Sequence, residues 1–194
     1  MKHWLVIGGT GMLKDVSLWL IKQGNHVTVI GRQQIKMQRL INEAKDASKL
    51  TPLIADYTNY NSFKSALIES QQTNGSFDCI IVWIHGSDKR IWESLLQAIP
   101  TTKNVILYHI KGSGSYINDH KKSHMPPNII YREVKLGFVI ENNNSSRWLT
   151  TSEIAQGIID GICVLKGINL LNKKNLPFSS AYPRKLDRFL LDTI

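Results

Sequence analysis

Apolar and polar positions alternate along the chain with two different periods. Five short apolar runs have the length and composition typical of strands: His3–Ile7, His26–Ile30, Leu53–Ala55, Asp78–Trp83 and Asn104–His109. Between them, apolar residues recur at helical spacing, which predicts one helix from Met12 to Gly24 and three more over Gln33–Ala47, Asn61–Gln71 and Lys89–Ala98. This alternation predicts a doubly wound α/β fold, in which helices cover both faces of a mostly parallel sheet of about six strands, in three layers, with strand order 3-2-1-4-5-6.

The pattern changes after the fifth strand. Ile110–Pro127 has little periodicity and is longer than most connections, so we expect a binding loop or lid there. Ile130–Ile140 alternates like an edge strand, and Thr150 or Thr151 caps a further helix. The basic tail ends in a short amphipathic stretch, Leu186–Leu191. No linker divides the sequence, and we therefore expect one domain over residues 1–194.

Composition narrows the class of protein. With 194 residues, 42% hydrophobic and 20% charged, the chain can bury a core. It has no apolar run long enough to cross a membrane, and glycines follow its first apolar run in place of a cleavage site, so we expect a cytoplasmic protein. Cys79 and Cys163 lie in apolar segments and predict buried thiols.

Charge says less about partners. The formal net charge of +9 is spread thinly along the chain, which argues against nucleic-acid binding. Binding of a phosphate-rich small molecule would account for this excess of basic residues equally well. The sequence does not decide whether the chain forms a homo-oligomer. The candidate functional sites are therefore sites for small molecules.

A glycine-rich turn follows the first predicted strand. Gly8-Gly9-Thr10-Gly11 leads directly into Met12 and Leu13 at the start of the first helix. Glycines in this position let the backbone approach a pyrophosphate, while the N–H groups and dipole of the helix attract its negative charge. These six residues are candidate cofactor-binding residues, and a plain turn between two elements is the alternative.

This turn resembles the nucleotide-binding fingerprint of the short-chain dehydrogenase/reductase superfamily, in an atypical and shortened form. Gly8 and Gly11 match its first two glycines, and Lys14 replaces the third. The resemblance implies a Rossmann fold and an oxidoreductase that acts on a small carbonyl or alcohol substrate. Further along, Asp56 and Tyr57 fall where the family places residues near the adenine, and the Ser146–Thr150 segment resembles the family's C-terminal region.

The end of the second strand bears on the choice of dinucleotide. An NAD-specific site places a carboxylate there, whereas this chain has Gly31-Arg32. The Arg32 guanidinium can pair with a 2′-phosphate or stack on adenine, which favours NADP over NAD. An exposed arginine at the start of the next helix is the alternative. At the end of the fourth strand, Trp83 and His85 fall where the family carries residues beside the cofactor ribose. The resemblance leaves two roles open for His85: it lines the nicotinamide side, or it simply closes the strand.

The catalytic centre is the least defined part of the sequence. Tyr131 and Lys135 have the spacing of the family's Tyr-x-x-x-Lys pair, and Ser113 precedes them. The same segment reads as a strand, on which the two side chains would lie about 13 Å apart. Further acid–base candidates are His85, His109, Lys111 and Tyr116. Two functions stay open: an NADP-dependent reductase, and a dinucleotide-binding or redox-sensing protein without catalysis.

Overall fold

The computed structural model describes residues 1–84, 88–112, 125–140, 145–165 and 191–192. Its nine strands within these ranges are β1 (His3–Ile7), β2 (His26–Gly31), β3 (Leu50–Ile54), β4 (Cys79–Val82), β5 (Val105–Lys111), β6 (Ile129–Lys135), β7 (Phe138–Ile140), β8 (Ser146–Trp148) and β9 (Leu191–Asp192). The helices are α1 (Lys14–Lys22), α2 (Gln34–Glu43), α3 (Tyr60–Asn74), α4 (Lys89–Gln97) and α5 (Thr151–Leu165), with a short 3₁₀ turn at Ala47–Lys49.

The main sheet has the predicted strand order. Its sequence of strands is β3-β2-β1-β4-β5-β6-β9, and all neighbours from β3 to β6 are parallel. Only β9 is antiparallel, and it pairs with Glu133 and Val134 of β6. The order reverses between β1 and β4, and this is where doubly wound folds open a crevice at the carboxyl ends of their strands.

Two apolar layers cover the sheet, one on each face. On one face, Val6 and Val29 of the strands pack with Leu20 of α1 and Ile158 of α5. On the other face, Leu5 and the remaining inward side chains of β1, β4 and β5 pack with α3 and α4. Because α1, α2 and α5 pack on one face of the sheet and α3 and α4 on the other, the predicted three-layer α/β fold is confirmed.

Several predicted boundaries are wrong. The helix predicted over Gln33–Ala47 ends at Glu43, and the strand predicted at Leu53–Ala55 begins at Leu50. Ile110–Pro127 was expected to be a loop throughout, but β5 continues to Lys111 because parallel pairing with β6 extends to Lys135. Most of that predicted loop, residues 113–124, lies outside the described residues.

The predicted edge strand Ile130–Ile140 is in fact two strands. β6 ends at Lys135, and β7 forms a separate two-stranded antiparallel sheet with β8. β6 is also not the outermost strand, since β9 lies beside it. Alternation of apolar residues continues through both strands, so the sequence pattern does not reveal the break.

Two smaller expectations are also tested. Across the described ranges, no helix has the length and apolar character needed to cross a membrane. Cys79 and Cys163 are buried and are not joined by a disulfide, as predicted.

Candidate functional site

The glycine-rich turn lies at the carboxyl end of β1, in the centre of the sheet. Gly8 has a φ of +92°, a left-handed conformation that glycine adopts without strain. Its carbonyl oxygen accepts hydrogen bonds from the N–H groups of Gly11 (3.2 Å) and Leu13 (3.4 Å). The turn is therefore closed on itself, and it directs the chain into α1 at Lys14.

Gly9 and Gly11 of the turn lack a side chain for different steric reasons. A Cβ on Gly9 would lie 2.7 Å from both Ser17 Oγ and Val29 Cγ1, so this glycine allows helix and sheet to pack closely. A Cβ on Gly11 would meet only the carbonyl oxygen of Gly8, at 3.8 Å, and thus projects into open space. Open space beside an exposed backbone is what a pyrophosphate needs, and the turn fits such a group.

The residues around the turn support an anion site in part. Within the described residues, no side chain caps the N-terminus of α1, so its N–H groups keep the partial positive charge of a helix N-terminus. Lys14, which replaces the third fingerprint glycine, turns away and forms an ion pair with Glu43 of α2, with Nζ 2.8 Å from Oε2. Lys14 therefore pairs with protein and does not extend toward the turn.

Gly31 is a site residue whose role the sequence analysis missed. A Cβ there would lie 2.6 Å from Thr10 Oγ1, so the Thr10 side chain packs against the end of β2 because position 31 has none. The sequence signal for this close approach is a glycine at the end of a strand. Gly31 thereby couples the turn to the strand that carries Arg32.

Arg32, Asp56 and Tyr57 come together at the carboxyl ends of β2 and β3. Arg32 is 61% exposed, lies 3.8 Å from the Asp56 carboxylate and has its guanidinium carbon 6.0 Å from the Tyr57 ring centre. The backbone N–H and hydroxyl of Thr58 both donate to Asp56, and they hold the pKa of that carboxyl below its ordinary value. Asp56 is thus an anion that already neighbours Arg32.

Trp83 joins this edge to the next strands. The backbone N–H of Trp83 donates to the carbonyl oxygen of Ile7 (3.1 Å). A Cβ on Gly8 would be 3.2 Å from the Trp83 carbonyl oxygen, and a Cβ on Gly112 would be 3.8 Å from the Trp83 ring. Trp83 therefore lies between the glycine turn and the end of β5. The predicted site residues His85 and Ser113 lie outside the described residues.

A cluster of polar side chains lies where β5 and β6 approach the same edge. The Tyr131 hydroxyl donates to Glu133 Oε1 (2.9 Å) and lies 2.7 Å from His109 Nδ1. The Lys111 ammonium donates to the same Glu133 oxygen, and Lys135 Nζ is 3.9 Å from the other one. Glu133 thus connects the predicted candidates into one network, although along the sequence it is only a polar position in the alternating pattern of the strand.

The hydrogen bonds define the proton positions within this network. Because the Tyr131 hydroxyl has one proton and gives it to the Glu133 carboxylate, the Nδ1 atom of His109 is the donor to the Tyr131 oxygen. The His109 ring also packs edge-on against Trp92 of α4, with 4.6 Å between ring centres. The imidazole is therefore held in one orientation by both contacts.

Tyr131 and Lys135 do not form a helical pair. Both lie on β6, as the alternation predicted, with Tyr131 opposite Leu107 and Lys135 opposite Lys111 of β5. Four residues along a strand separate two Cα atoms by about 13 Å, whereas on a helix the side chains would be neighbours. Among the described residues, the lysine that shares an acceptor with Tyr131 is Lys111, on the adjacent strand.

Comparison with known proteins places the fold among dehydrogenases. No family model and no curated protein matches the chain. An alcohol dehydrogenase from Thermococcus sibiricus, solved with 5-hydroxy-NADP, superposes with a TM-score of 0.65 at 12% identity, over 86% of this chain and 91% of that one. A serine dehydrogenase from Escherichia coli superposes with a TM-score of 0.59 at 16% identity, over 81% and 89%.

The chain spans 63% of the length of a short-chain dehydrogenase/reductase from Brucella melitensis, at 11% identity, a TM-score of 0.49 and 63% coverage of this chain. The similarity to the alcohol dehydrogenase and the serine dehydrogenase lies in the fold, and the Rossmann fold that the resemblance implied is confirmed.

Proposed function

We propose that the protein is an NADP-dependent oxidoreductase that acts on a small carbonyl or alcohol substrate. The observation that carries the proposal is the turn Gly8–Gly11, which leaves open space before the N-terminus of α1 at the point where the strand order reverses. The similar alcohol dehydrogenase was solved with 5-hydroxy-NADP, which supports the same class of cofactor here. A bound nicotinamide dinucleotide would supply hydride chemistry.

The residues proposed to hold this cofactor follow the carboxyl edge of the sheet. The backbone of Gly8–Leu13 would bind the pyrophosphate. Arg32 would pair with the 2′-phosphate, and Asp56 and Tyr57 would border the adenine. Trp83 would lie at the middle of the cofactor, and His85 and Ser113 stay proposed for its nicotinamide end.

The preference for NADP can be tested by titration of NADPH and NADH, followed by nucleotide fluorescence. We expect NADPH to bind more tightly. Arg32→Ala should remove most of that difference, because the loss of charge-assisted hydrogen bonds to a phosphate costs roughly tenfold or more in affinity. Arg39→Ala is the matched control, since Arg39 is an exposed arginine on α2. Equal affinities of the two nucleotides for the native protein would disprove the role of Arg32.

A protein that binds the dinucleotide without catalysis is the second candidate. The strand position of Tyr131 and Lys135 favours it, because the helical Tyr-x-x-x-Lys arrangement is absent from the described residues. NADPH consumption across a panel of aldehydes and ketones distinguishes the two functions. Turnover of any member above the background without protein supports the oxidoreductase. Tight NADPH binding with no turnover supports the binding protein.

A further inference from the structure

The buried ion pair between Lys111 and Glu133 is an unusual feature of this sheet. The two side chains are 7% and 2% exposed, and they lie on the face covered by α4. Burial of two charges costs more free energy than a surface pair and is often no more stabilising than apolar packing. A contribution to stability alone therefore explains the pair poorly, and the position of Lys111 and Glu133 in the fold bears on whether they have a functional role.

Lys111 is the last residue of β5, at the carboxyl edge where the glycine turn lies. The next residue, Gly112, approaches the Trp83 ring, and the Trp83 carbonyl oxygen approaches Gly8. These contacts place the ends of β1, β4 and β5 next to one another. Tyr131 lies deeper, because its partner in the sheet is Leu107, four residues before Lys111 on β5.

We propose that Lys111 is the catalytic acid of this protein and that Glu133 is its positioning residue. The inference rests on the proposed oxidoreductase function and assigns its proton donor. In the reduction, the carbonyl carbon receives two electrons and one hydrogen from the reduced dinucleotide, and the π pair of the C=O bond moves to oxygen. One N–H bond of Lys111 breaks as the O–H bond of the product forms. The resulting amine takes a proton from water after the product leaves.

Geometry favours Lys111 over the other candidates. An ammonium has three N–H donors, and its positive charge stabilises the oxygen on which negative charge develops, most strongly where water is excluded. The Tyr131 hydroxyl gives its only proton to Glu133. Glu133, His109 and Tyr131 then hold one another in place below the lysine, so that the carboxylate keeps the ammonium at the end of β5.

The test separates charge from proton donation. Lys111→Arg keeps the positive charge beside Glu133 but cannot release a proton at ordinary pH. We expect it to fold, to bind NADPH like the native protein, and to lose about 100-fold or more in kcat on the best substrate of the carbonyl panel. Lys103→Met is the control and should retain turnover, because Lys103 pairs with Asp78 before the start of β5 and lies outside the Glu133 network.

Glu133→Gln tests the positioning role. It keeps the shape of the side chain but removes the charge that holds Lys111, so kcat should fall while KM and NADPH affinity stay nearly unchanged. If Glu133→Gln alters thermal unfolding but leaves kcat unchanged, the carboxylate is purely structural and its positioning role is overturned.

A second readout does not depend on turnover. 2,2,2-Trifluoroethanol, a substrate-like alcohol whose oxygen would accept a hydrogen bond from the Lys111 ammonium, is titrated into the protein with NADP⁺ and followed by tryptophan fluorescence. Lys111→Met should weaken its binding about tenfold, the effect of a lost charge-assisted hydrogen bond, whereas the control Lys103→Met should not. If the native protein binds no NADPH, the proposed function itself is wrong. If NADPH binds normally and the Lys111 variants behave like the Lys103 control, only the inference about Lys111 is overturned.

Discussion

Two lysine–glutamate pairs lie on opposite sides of the sheet and differ in almost every respect. Lys14 and Glu43 join α1 to α2, with side chains 34% and 45% exposed. Lys111 and Glu133 join β5 to β6, with side chains 7% and 2% exposed. Water and salt screen the first pair, whereas the second is surrounded by protein and tied to Tyr131 and His109.

The same contrast extends to the halves of the fold that contain the pairs. The half built from β1 to β3 presents backbone and glycines at its carboxyl edge and is suited to hold a phosphate. The half built from β4 to β6 buries charged side chains at the same edge. We infer that the first half is organised for binding and the second for chemistry, and the predictions below test this division.

The largest expected effect is on stability and comes from Glu133→Ala. Removal of the carboxylate leaves Lys111 charged and buried, which should cost about 3–5 kcal/mol in the free energy of unfolding. Urea denaturation monitored by tryptophan fluorescence measures it. The double variant Lys111→Met with Glu133→Leu should recover most of the loss, because apolar side chains of similar volume replace both charges. A cost below about 1 kcal/mol for Glu133→Ala would mean that the pair is hydrated in solution.

Two glycines of the same turn should respond differently to the same substitution. Gly9→Val places a side chain against Ser17 and Val29 and should destabilise the protein by about 1–3 kcal/mol through overpacking. Gly11→Val projects into open space, so thermal unfolding should change little while NADPH and NADH both bind more weakly. If Gly11→Val leaves both affinities intact, the turn does not hold the pyrophosphate.

Stability should also decrease as the pH falls from about 7.5 to about 5.5. Burial is the largest cause that lowers the pKa of His3, and it also lowers the pKa of His26. In the unfolded chain both imidazoles take up protons near their ordinary pKa of about 6.5, whereas in the folded protein they resist protonation. The unfolded state therefore binds more protons in this range, and the free energy of unfolding decreases as the pH is lowered.

The responsible histidines can be identified by substitution. His3 bonds to Gly75 and Thr28, and His26 bonds to Thr51. The variant His3→Asn with His26→Gln keeps polar groups at both positions but cannot titrate, so thermal unfolding should depend less on pH across this range. An unchanged pH dependence would assign the effect to other groups.

The smallest expected effect is that of Glu43→Ala. It breaks the exposed pair with Lys14 and should change the free energy of unfolding by no more than about 1 kcal/mol, with less effect at high salt. Urea denaturation under the same conditions as for Glu133→Ala gives a direct comparison of the two pairs. Equal costs for the two variants would remove the distinction between the halves.

The sequence alone was sufficient for the parallel sheet order and for the glycine turn at its carboxyl edge. Continuous apolar runs such as His3–Ile7 are readable because both faces of a parallel strand are buried, and the turn after them is readable because only glycine adopts such a path. These are local properties, set within a few residues. Strand order 3-2-1-4-5-6 followed because the handedness of the crossovers leaves few alternatives.

Only the tertiary structure decided what lies at the ends of β5 and β6. The alternation of β6 identified Tyr131, Glu133 and Lys135 as one face, but a polar face of a strand is normally exposed to water. Here α4 covers that face, and the parallel register brings Lys111 of β5 to Glu133. The residues that meet are 22 positions apart, and no local pattern encodes which acceptor a buried lysine finds. Burial of that charge is a property of the packed layers, since it exists only when sheet and helix have closed over it.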